Sequence, residues 1–164
     1  MSGREKMQKI IYNFCSRCHM GPIELDDANC AYFAFDNKIF LRVDMNETTD
    51  ECTLLAYAGG VEKYSPNIYK FLLSQNLFWK GTGGAKLGLE KSNNDEDLEV
   101  LTISQRLPMD GLDEDQFYSE AEMFVNCVDK WLELMPKLDE NDPKSIPTDK
   151  EVRKAKKQKK CNIC

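Results

Sequence analysis

The chain has 164 residues, 41% of them hydrophobic and 30% charged, with a net charge of −6. That length suits one domain plus tails, and no run of 18 apolar residues is present to cross a membrane. Seven Lys or Arg and one Glu fall within residues 150–160, so the rest of the chain carries −12. This argues against a nucleic-acid surface on the body, because phosphate contacts need Lys and Arg.

The start, MSGREKMQK, lacks an uninterrupted apolar stretch and does not read as a secretory signal. The expected setting is the cytosol, where the seven cysteines would be reduced. Ser2 and Glu5 have capping-box spacing for a first helix, whose apolar face is Met7, Ile10, Ile11, Phe14 and Cys18. Gly21-Pro22 is expected to stop it. Cys30 to Phe35 reads as a strand, Asp36-Asn37 as a tight hairpin turn, and Ile39 to Met45 as a half-buried strand by its alternation. Cys52 to Ala58 is a third strand, expected to close at Gly59-Gly60.

Ser65-Pro66 has the form of an N-cap followed by proline in the first helical turn, and the second helix is expected to run to about Phe78. Ala85 to Leu89 and the stretch from Leu98, centred on Val100 to Ile103, supply two further strands. The segment Leu107 to Gly111 ends the ladder. Asp113, with Gln116 three residues on, caps a last long helix. Its stripe is Phe117, Ala121, Phe124, Val128, Trp131 and Met135. The order α-β-β-β-α-β-β-α gives an α+β fold, an antiparallel sheet flanked by helices. Beyond Met135 the prolines and charges predict a disordered polar and basic tail over residues 136–164, and a folded domain over residues 1–135.

Sharper motifs carry less. Cys15-Ser16-Arg17-Cys18-His19 matches C-x-x-C-H, but Cys18 continues a helical apolar face and packing explains it better than haem. Cys15 and Cys18 with Cys161 and Cys164 would make four zinc thiolates, but the pairs lie over 140 residues apart. The Gly81 to Lys86 loop fits neither phosphate-binding pattern, since a strand follows where a helix should. Cys161 to Cys164 has the outline of a prenylation box behind a basic run, but ends in an unusual residue, and a solubilising or weakly electrostatic tail is the simpler reading. With His19 as the one imidazole, no nucleophile and base assemble. No enzyme and no cofactor are expected.

The segments LFWKGTGGAKLGLE and LTISQRLPMDGLDEDQF, in that order and at that spacing, with the hairpin CAYFAFDNKIFLRV before them and Trp131 late in the last helix, resemble class I type III secretion chaperones, the Tir-chaperone family. The resemblance covers roughly residues 5–135. It implies a small acidic homodimer of the bacterial cytosol. Such a dimer binds the N-terminal segment of one or more secreted effectors without ATP and keeps it extended. The secretion-apparatus ATPase is a further partner expected on the same grounds. A regulator of the same fold that sequesters a transcription anti-activator is the competing reading. The basic tail departs from the usual compact form.

A chaperone of this kind needs apolar surface and sheet edges. The candidate effector-binding residues are Phe33, Phe35, Phe40 and Arg42. Strand alternation leaves core or client-facing placement open for each aromatic, with Phe40 favoured because Ile39 and Leu41 take the other face. The second helix is apolar around much of its circumference, so it should be buried on more than one side. The candidate dimer residues are Ile68, Leu72, Leu73, Leu77, Phe78, Gly83 and Leu87.

Overall fold

The computed structural model describes residues 1–155, with side chains through residue 152. Helix α1 spans Gly3–Arg17, strands β1, β2 and β3 span Cys30–Phe35, Ile39–Asn46 and Glu51–Glu62, and helix α2 spans Pro66–Asn76. Strands β4 and β5 follow at Lys86–Lys91 and Leu98–Pro108, then helix α3 at Glu114–Leu134 and a short helix α4 at Asp149–Ala155. The five strands form one antiparallel sheet in the order β1-β2-β3-β5-β4. The α+β expectation and the order of its eight elements hold.

By packing, the chain divides into two units. One holds Met1–Ala56 and Gln105–Val125, the other Tyr57–Ser104 and the chain from Asn126. In the first unit, the α1 capping box forms as the spacing requires: Glu5 N–H donates to Ser2 Oγ at 3.2 Å and Ser2 N–H to Glu5 Oε2 at 2.7 Å. The Ser2 backbone bond holds the Glu5 carboxyl below the usual range. Helix α1 ends at Arg17, before Gly21-Pro22, because His19 turns to φ 53° directly after the C-cap Cys18. Asp36 and Asn37 both sit at φ 52° and Lys38 N–H closes on Phe35 O at 3.0 Å. The turn places both central residues in the left-handed region that Asp and Asn tolerate, within a three-residue connection between the paired Phe35 and Ile39.

The core of this unit is aromatic. The ring of Phe14 meets Phe33 at 5.3 Å, Phe117 at 5.4 Å, Tyr118 at 6.0 Å and Phe35 at 6.4 Å, with the three phenylalanines edge-on. Asp113 caps α3 through its carboxylate, which accepts Gln116 N–H at 2.8 Å.

In the second unit β3 does not stop at Gly59-Gly60 but runs on to Glu62. Gly59 takes φ 102°, and a Cβ there would lie 3.3 Å from Met135 Cβ. The glycine therefore bends the strand and admits Met135 without ending the ladder. Phe71 of α2 packs on Trp131 of α3 at 6.0 Å, and Trp131 Nε1 donates to Gly81 O at 3.2 Å.

The stretch after α3, expected to be a featureless tail, carries two 3-10 turns at Met135–Lys137 and Pro143–Ser145 and then α4. At its start Glu151 Oε2 accepts both Thr148 N–H at 2.7 Å and Thr148 Oγ1–H at 2.8 Å. Cys161, Cys164 and most of the basic run lie outside the described residues.

Candidate functional site

Two surfaces stand out, one in each unit. The first is the outer face of the β1-β2 hairpin. In the register of that pair, Tyr32 stands opposite Arg42 and Ala34 opposite Phe40, while Phe33 and Phe35 face Leu41 and Ile39. Cross-strand partners share a face. Tyr32, Ala34, Phe40 and Arg42 are therefore on one side, and Phe33 and Phe35 on the other with the core. Burial agrees. Phe40 is 64% exposed and Tyr32 also points to solvent, whereas Phe33 and Phe35 are buried against Phe14. Of the four candidate effector residues, Phe40 and Arg42 lie on an accessible face, and Phe33 and Phe35 do not, because their rings are core packing. Tyr32 escaped the sequence reading, although the alternation that singles out Phe40 also marks it once the register is known.

Arg42 is fixed on this face. Its Nε donates to Asp44 Oδ1 at 2.6 Å and its Nη2 reaches Cys30 Sγ at 3.5 Å. The bond to Asp44 raises the guanidinium further into its charged form. Arg42 also faces Leu55 of β3. Strand β1 stands at one end of the sheet order, so among the described residues no strand pairs with its outer edge. A bare edge beside an exposed aromatic pair is where an extended peptide can add as a further strand.

The second surface belongs to α2 and the turn after it. Ile68 and Leu72 are buried, as are Phe71 and Leu87, while Leu73, Leu77, Phe78 and Trp79 are exposed, Leu73 at 70% and Phe78 at 79%. Gly83 is exposed and Leu89 is at the margin of exposure. The seven candidate dimer residues thus split: Ile68, Leu72 and Leu87 pack inside their own unit, and Leu73, Leu77, Phe78 and Gly83 face outward. Trp79 and Leu89 join the outward set. Helix α2 stops two residues early because Phe78 and Trp79 adopt φ 54° and 51°. Two consecutive bulky residues in the left-handed region cost of order 1–3 kcal/mol each. Thr82 and Gly83 N–H groups, both on Trp79 O at 3.3 and 3.2 Å, help hold the turn.

Among the described residues, the buried cysteines offer no reactive centre at either surface. Cys15, Cys30 and Cys52 are buried free thiols. Burial pushes Cys52 up to about 12 and raises Cys15 and Cys30. Among the described residues, no three or more His, Cys, Asp or Glu side chains gather as a metal site, and no helix is long and apolar enough to cross a membrane.

One unit carries an edge strand with an exposed aromatic hairpin face, and the other an exposed apolar face on α2 and its turn. The Tir chaperone protein (CesT) family model matches residues 9–132, and the chain belongs to this family. Its fold is that of type III secretion chaperones. The ExsC–ExsE complex matches with a TM-score of 0.70 and 17% identity, over 85% of this chain and 100% of that one. The HopA1–SchA chaperone–effector complex matches at 0.62 and 18%, over 79% and 95%. The Yersinia pestis type III secretion chaperone SycH, in complex with a stable fragment of YscM2, matches at 0.57 and 17%, over 77% and 97%. A search of curated protein sequences finds no match to this chain.

Proposed function

We infer that this chain is a type III secretion chaperone, a binding protein with no catalytic step, that holds the N-terminal segment of a secreted effector extended in the bacterial cytosol. The observation that carries this reading is the family match across residues 9–132. The hairpin face supports it: Phe40 and Tyr32 are exposed beside the unpaired edge of β1, where main-chain bonds supply affinity and side-chain pockets specificity. The chaperone domain is taken as residues 1–135, and the working form as a homodimer joined through Leu73, Leu77, Phe78, Trp79 and Leu89. Five large apolar side chains exposed on one helix, its turn and the next strand are what argue for a second copy, because exposed apolar residues are ordinary singly. Delivery to the secretion-apparatus ATPase completes the role.

The test is Phe40→Asp. Its side chain is outside the core, so the fold and the oligomeric mass should not change. Affinity for the effector segment should fall tenfold to a hundredfold, about 1.4–2.8 kcal/mol, as for an interface hot spot. Unchanged affinity would remove the hairpin from the client site. The regulatory alternative uses the same surfaces with an anti-activator as client. The identity of the protein that co-purifies, secreted or regulatory, separates the two.

A further inference from the structure

The family match ends at residue 132, yet the chain beyond it is bonded onto α2 at both ends of that helix. At the start of α2, Ser65 does not cap; its hydroxyl donates to Glu62 O at 2.7 Å. The orphan N–H groups of Asn67 and Ile68 go instead to Glu140, at 3.0 Å to Oε1 and 3.0 Å to Oε2. A carboxylate bridging two first-turn donors satisfies the helix end and its dipole together. At the far end, Asp149 Oδ2 accepts Lys80 Nζ at 3.2 Å and Oδ1 accepts Gln75 Nε2 at 3.4 Å.

Gln75 is 1% exposed and its Oε1 has no donor. It is wedged against the turn that follows: a Cβ on Gly81 would lie 2.6 Å from Oε1, and Gly81 N–H donates to Gln75 O at 3.2 Å. Gln75 Nε2 also donates to Ser74 Oγ at 3.1 Å, so Asp149 and Ser74 together orient Gln75, Gln75 lies against Gly81, and the same turn carries Phe78 and Trp79 in their left-handed conformations.

We propose that residues 138–152 are a strap that sets the conformation of the Leu77–Trp79 turn and, through it, the surface on which a second copy of this chain docks. The inference rests on the homodimer reading above. Glu140 and Asp149 are positioning residues: neither belongs to the outward apolar set, and each acts through α2 or Gln75. Sequence alone does not expose such a device, since it depends on two isolated carboxylates far from their partners along the chain.

The experiment uses the full chain and measures the dimer dissociation constant by analytical ultracentrifugation. Asp149→Ala should weaken the dimer at least tenfold. Asp149→Asn keeps an oxygen that can accept Gln75 Nε2 and should stay within threefold of wild type, which a role through the Lys80 ion pair alone would not allow. Glu140→Ala should speed amide hydrogen exchange at Asn67 and Ile68 at least tenfold. A dimeric wild type with unchanged affinity in Asp149→Ala, or an Asp149→Asn chain as weak as Asp149→Ala, overturns the strap and leaves the dimer reading standing. A wild type that stays monomeric overturns the dimer reading, and the strap's role with it.

Discussion

Leu73→Asp and its neighbour Leu72→Asp are expected to fail in opposite ways. Leu73 is 70% exposed, so an aspartate there keeps its water in the monomer and is desolvated only if a second copy covers it. The expected result is a folded monomer with a mass near 18.9 kDa, half that of the wild type. Leu72 is 4% exposed. A carboxylate there loses its hydration with no partner in the core and also forfeits the apolar burial of leucine, a combined loss of several kcal/mol. That is a large share of the 5–15 kcal/mol that holds an ordinary domain. Leu72→Asp should be unfolded or aggregated. Light scattering with circular dichroism reads both variants. If Leu73→Asp remains a dimer of wild-type affinity, the outward face of α2 is not the interface.

The second large effect is expected at Phe14. Its ring is 1% exposed and stands at the centre of an aromatic cluster joining α1 to β1 and α3. Phe14→Ala removes a full ring and leaves a cavity walled by Phe33, Phe35 and Phe117, which belong to other elements and cannot all close in. A loss of about 3–5 kcal/mol is expected, as for other buried Phe→Ala changes, measured by chemical denaturation. A loss under about 1 kcal/mol would mean that these rings do not form the core of their unit.

Features that depend on neighbours in sequence were legible. The Ser2–Glu5 box, the Asp36-Asn37 turn and the Asp113 cap each follow from local residue chemistry, and each forms. The alternation of β2 placed Phe40 outward. Features that depend on partners distant along the chain were not legible. The glycines at 59 and 60 have the look of a stop, but β3 runs through them, and Gly59 leaves room for Met135, which lies 76 residues on. The alternation of β1 leaves Phe33 and Phe35 open, and it is Phe14 beside them that makes them core. The helix period could not separate Leu72 from Leu73, since α2 is apolar nearly all round. The segment after α3 is polar enough to read as disordered, although Thr148 and Glu151 already stood at capping-box spacing. Its attachment to α2 runs through Glu140 and Asp149, and composition does not reveal that.

The central claim is that this chain binds an extended effector segment. The most direct test is isothermal titration calorimetry of the wild-type chain against the first ~100 residues of the client effector, run at several temperatures. Folding of the segment onto the chaperone should bury about 1,000–3,000 Å² and give a large negative heat-capacity change. Binding with that signature is the predicted result. Absence of binding, or binding with a heat-capacity change near zero, would contradict the account.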